Sequence, residues 1–65
     1  MATIGENLKR IRTKQGITQH DLAKKSGITY STLTKIEGDF VKKPGVQMVA
    51  KIAKVLDVLI EDLLK

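Results

Sequence analysis

The 65-residue chain carries 12 Lys and Arg against seven Asp and Glu, a formal net charge of +5, and no cysteine. Such a length holds one domain over residues 1–65, and without cysteine neither disulfides nor zinc-finger ligand sets can staple it, so aliphatic packing must supply the stability. No apolar run approaches the ~20 residues needed to span a bilayer and the start lacks the apolar stretch of a signal peptide, so the expectation is a cytoplasmic chain with no membrane partner.

Thr3-x-x-Glu6 reads as a capping box that opens a first helix, with Ile4, Leu8 and Ile11 at helical spacing and Gly16 as its stop. Thr18 caps a second helix, which turns Leu22 and Ala23 inward and ends at Gly27. Thr29 caps a third, from about Tyr30 to Glu37, with Leu33 and Ile36 inside and Gly38 at its close. Residues 39–45 form a loop holding Lys42, Lys43 and the single proline. A fourth helix gathers Val46, Val49, Ile52, Ala53 and Leu56 on one stripe, with Lys51 and Lys54 opposite. After a joint at residues 57–59, a last turn or two tucks Ile60 and Leu63 back onto the body. Five short helices with no strand pattern make the chain all-α.

The charge is uneven. Residues 1–56 carry eleven basic and four acidic side chains, a net of +7, whereas residues 57–65 net −2. A basic body suits a polyanionic partner, although a solvated lysine-rich surface gives the same count.

The most informative stretch is residues 19–36. Two short helices joined by a turn of about four residues must cross steeply and touch. The crossing needs a small side chain, supplied by Ala23, and the turn needs a residue tolerant of positive φ, supplied by Gly27. Leu22, Ile28, Leu33 and Ile36 seal the elbow from both sides. Alanine, glycine and the later apolar residue thus stand at the spacing of a helix-turn-helix.

At these residues the chain resembles the Cro/phage-repressor (Xre-type) helix-turn-helix family. Leu8-Lys9-Arg10-Ile11-Arg12, Gly16-Ile17-Thr18-Gln19, Leu22-Ala23-Lys24-Lys25-Ser26-Gly27-Ile28, Leu33-Thr34-Lys35-Ile36-Glu37 and Lys51-Ile52-Ala53-Lys54 carry the likeness over nearly the whole chain. The resemblance implies a compact lambda-repressor-like bundle of five helices. It also implies a transcriptional regulator, most often a repressor, gripping a palindromic double-stranded DNA site as a homodimer. No enzyme activity, cofactor or metal is expected: the single histidine, His20, has no partner for catalysis or ligation and reads as an exposed helix residue.

Within the third helix, Leu33 and Ile36 fix the buried direction, so Ser31, Thr34 and Lys35 face outward, with Tyr30 and Thr32 on the flanks. Hydroxyls and a lysine near a helix start can hydrogen-bond base edges in the major groove. The resemblance marks Tyr30, Ser31 and Lys35 as base-reading places; by its chemistry Lys35 is suited to donate to a guanine, and the Tyr30 ring to pack on a thymine methyl. Gln19 and Thr29, at the starts of their helices, are candidate phosphate binders. Lys42 and Lys43 match basic loop positions that lie along the DNA backbone in the family. The resemblance further implies an ion pair between Arg12 and Glu37.

The chain departs from the family after Glu37, where Gly38 comes first and Asp39 takes the usual glycine place. Phe40 and Val41 are apolar for a DNA-facing loop, Gly45 and Leu59 replace capping serines, and Asp57 replaces a helix-ending glycine. Leu59, with Val58 and Leu64, is a candidate dimer interface. An antitoxin-like or regulatory module that docks a protein partner through Phe40, Val41 and Leu59 is the competing expectation.

Overall fold

Three threonines set where the first three helices begin. In the computed structural model, which describes residues 2–65, α1 (Ile4–Lys14) follows Thr3, α2 (Gln19–Ser26) follows Thr18, and α3 (Tyr30–Glu37) follows Thr29. Each hydroxyl accepts from a backbone N–H three residues on, which satisfies one of the unpaired donors of a first helical turn. At Thr3 the box is complete, because Glu6 Oε1 accepts from the Thr3 N–H at 3.1 Å. Two further helices, α4 (Val46–Leu56) and α5 (Ile60–Leu64), complete an all-α bundle with no strand among the described residues.

Only Gly27, Ile28 and Thr29 lie between α2 and α3, one residue fewer than expected. The turn is that tight because Gly27 adopts φ 73°, a left-handed conformation that ends α2 and redirects the chain at once. Asp39 and Asp57 hold the same region, at φ 65° and 57°, in the two places where the family's glycine is missing. Aspartate tolerates this conformation better than most side chains.

Helix α1 packs on α3 and α5, α2 on α3 and α4, and α4 on α5. Their shared interior is aliphatic, with Leu8, Leu22, Leu33, Ile36, Ile52 and Leu56 fully buried. Leu63 closes it from α5, and Ile4, Ile17, Ile28, Val41, Met48, Val55 and Val58 line its margin. Two residues expected inside stand outside. Val46 is 76 % exposed, because it begins α4 and leans over a turn with no helix above it, and Ile60, first in α5, is exposed for the same reason.

Three contacts that join distant parts of the chain came from residues the sequence does not mark. Asn7 is buried and its Nδ2 donates to the Leu63 carbonyl at 3.0 Å, which ties α1 to α5. Gln15 Nε2 donates to the Leu56 carbonyl at 2.7 Å and so caps the end of α4. Gly5 lies where α1 crosses the end of α3, and a Cβ there would run into the Ile36 carbonyl oxygen. No helix among the described residues is long and apolar enough to cross a membrane.

Candidate nucleic-acid interface

Burying Leu33 and Ile36 turns the opposite side of α3 to solvent. Tyr30, Ser31 and Lys35 are exposed along it, Thr34 is half-buried, and no loop covers them. Thr34 Oγ1 donates to the Ser31 carbonyl at 2.8 Å, so its proton is used within the helix and its lone pairs remain outward. Lys35 has no acidic partner among the described residues, leaving its ammonium free to donate.

The orientation of α3 is held by a polar chain that starts in α1. Arg12 Nε donates to Glu37 Oε2 at 2.7 Å and Arg12 Nη2 to Glu37 Oε1 at 3.0 Å, a two-pronged ion pair. Its side chains are only 12 % and 3 % exposed. Arg12 Nη1 also donates to the Ile17 carbonyl at 2.8 Å, fastening the start of α2 to the same guanidinium. The planar fork of arginine suits this three-way contact as no lysine would. Because Glu37 is turned inward to Arg12, its charge does not line the outward face.

Gln19 extends the chain. Its Nε2 donates to Glu37 Oε1 at 3.1 Å, and its Oε1 accepts from the Tyr30 hydroxyl at 3.4 Å. The side chain expected to reach a phosphate is therefore turned toward the ion pair. What remains for a phosphate at this place is the backbone at the start of α2, whose first N–H groups have no partner within the helix. Thr29 caps α3 through Oγ1, which donates to Thr32 Oγ1 at 2.8 Å and accepts from the Thr32 N–H.

The contact that sequence reasoning missed at this face is made by His20. This residue is exposed, as expected, but its ring stacks on that of Tyr30, with centroids 3.9 Å apart and planes within 1°. The signal was two flat side chains at the facing starts of two touching helices, and only the geometry of the turn shows that they meet. No group of three or more His, Cys, Asp or Glu among the described residues is arranged to hold a metal.

Lys42 and Lys43 are exposed in the bend that follows α3, and Phe40, in the same bend, is 85 % exposed. Val41 instead packs against the core. At the other end of the molecule Leu59 and Leu64 are 62 % and 60 % exposed, whereas Val58 is half-buried and packs partly against the core. The Leu59 N–H donates to Asp62 Oδ2 at 3.0 Å. That bond, and then the Lys65 ammonium, hold the Asp62 carboxyl below its usual range.

Residues 8–63 match the family described as helix-turn-helix. The chain is 36 % identical over 61 residues to the HTH-type transcriptional regulator SinR of Bacillus subtilis, an alignment covering 94 % of this chain and 55 % of SinR. It thus spans about half the length of that curated relative. A crystal structure of SinR, the master regulator for biofilm formation, in complex with DNA superposes with a TM-score of 0.93 at 35 % identity, covering 97 % of this chain and 100 % of that one. A SinR–SinI protein complex matches with a TM-score of 0.92 at 35 % identity, over 97 % of this chain and 61 % of that one. With the family's pattern filled over most of its length and its fold reproduced, the chain belongs to the helix-turn-helix family, of the Cro/phage-repressor (Xre) type.

Proposed function

We propose that this chain is a transcriptional regulator that binds double-stranded DNA through the outward face of α3 in the major groove. The observation that carries this reading is the exposed surface of Tyr30, Ser31 and Lys35, with Thr34 half-buried among them, on a helix tied to α1 by a largely buried ion pair. The likeness to the DNA-bound SinR structure supports it. Lys35 and Ser31 read base edges, and the helix starts at Gln19 and Thr29, with Lys42 and Lys43, hold the phosphates. Two copies bind a two-fold-related site, with half-sites about one helical turn apart. Leu59 and Leu64 offer the exposed apolar surface for their contact.

Selection of duplexes from a randomised pool, with native mass measurement of the complexes, tests this reading. Enrichment of one palindrome bound by two chains is expected, with affinity falling at a log–log salt slope of roughly −0.9 per phosphate contact. Retention of no duplex would reject it. A second reading, a regulatory module that docks a protein partner, is favoured by the exposure of Phe40 and by the likeness to SinR in its complex with SinI. On that reading Phe40→Ala weakens partner capture while leaving the duplex affinity unchanged.

A further inference from the structure

Resting on the DNA-binding reading above, we infer that Tyr30 presents a hydrogen-bond acceptor to the groove and reads a base with an exocyclic amine, adenine or cytosine, while His20 holds its ring in place. The direction of every hydrogen bond in the polar chain follows from its first two members. A guanidinium only donates, and the Glu37 carboxylate that takes both prongs of Arg12 only accepts. Gln19 must then meet Glu37 with its amide N–H, Nε2 at 3.1 Å, which leaves Oε1 toward Tyr30. In that pair only the phenol has a proton to give, so the Tyr30 hydroxyl donates to Gln19 over 3.4 Å. Its oxygen lone pairs are what remain for the outside.

An oxygen in this state does not suit a phosphate, whose oxygens also accept. In the major groove the donors are adenine N6 and cytosine N4, whereas guanine O6 and N7 and thymine O4 accept. The stacked imidazole, 3.9 Å away and parallel, covers one face of the Tyr30 ring and keeps that face from a thymine methyl. With the hydroxyl turned to Gln19 and one ring face against His20, the phenol is oriented from two sides. His20 is thus a positioning residue that acts through Tyr30.

Duplex selection with the parent chain and with Tyr30→Phe tests the inference, since phenylalanine keeps the ring and removes only the hydroxyl. One position per half-site should be adenine or cytosine with the parent and lose its preference by about tenfold with the variant, the other positions keeping theirs. Replacing that adenine by purine, or that cytosine by 2-pyrimidinone, should weaken the parent by about tenfold and leave Tyr30→Phe unaffected. His20→Ala should blur the same position by about threefold, and His20→Phe should restore it. Guanine or thymine at the position, an unchanged selection with Tyr30→Phe, or equal losses for parent and variant on the amine-free base would overturn the inference alone. A parent chain that retains no duplex overturns the DNA-binding reading, and this inference falls with it.

Discussion

Helices α1, α2 and α3 each follow a threonine whose hydroxyl caps the first turn, whereas α4 follows Gly45, which has no side chain to cap with, and α5 follows Leu59, whose side chain caps nothing. The same contrast holds deeper in the structure. The amino-terminal part is cross-tied by Arg12, Glu37, Gln19 and Tyr30, while the carboxy-terminal part leaves Val46, Leu59 and Leu64 in solvent. The connected chain of side-chain hydrogen bonds lies in the part that presents α3 at a fixed angle. The part that backs it is joined by single bonds from Asn7 and Gln15 and otherwise by aliphatic contacts through Val49, Ile52, Leu56 and Leu63, which are less demanding of orientation.

The largest way to break this contrast is at the ion pair. Arg12→Met should cost about 3–5 kcal/mol in urea unfolding, because it strands a buried carboxylate, whereas Arg12→Met with Glu37→Met should lie close to the parent. A single-variant loss well under 1 kcal/mol would show that the cross-tie does not hold α3. Next comes Gly5→Ala. The added methyl has no room between α1 and the end of α3 and should cost about 1–3 kcal/mol, with thermal unfolding as the measure.

On the looser side, Leu59→Ser supplies the missing acceptor at the start of α5 and should raise stability by about 1 kcal/mol. Sedimentation of the same variant tests the proposed dimer surface, since unchanged association removes Leu59 from it. The smallest effect is at Asp62. Its carboxyl is held below the ordinary value by the Leu59 N–H and then by Lys65, so its contribution is present above the unfolded-state value and is lost as pH falls through the folded-state value. Asp62→Asn should remove that slope from the acid limb of the stability profile, and the two profiles should converge at lower pH.

Much of the fold was legible because its signals are local. A threonine before an apolar repeat, or a glycine just past one, states a helix boundary without reference to the rest of the chain, and Thr3, Thr18, Thr29 and Gly27 all act where they stand. Arg12 and Glu37, 25 residues apart, meet in the structure, and only the family resemblance had set them together. Asn7, Gln15 and Gly5 were not legible, since each matters through a group 31 or more residues away. Asn7 and Gln15 reach across separations of 56 and 41 residues to Leu63 and Leu56, and Gly5 makes room for Ile36. Hydropathy marks such residues as wet surface or filler. Gln19 shows a different limit: its type and place suit a phosphate, but a carboxylate that folding brings alongside claims its amide first.

Competition titration on the selected duplex and on a scrambled one, at one salt concentration, tests most directly whether the outward side of α3 reads sequence. The parent chain should discriminate strongly between the two. The Ser31→Ala, Lys35→Ala double variant should unfold at the parent's temperature, lose most of the preference for the selected duplex, keep only the share that Tyr30 supplies, and retain the salt-sensitive affinity that the phosphate contacts provide. A double variant that still prefers the selected duplex as strongly as the parent would contradict the account.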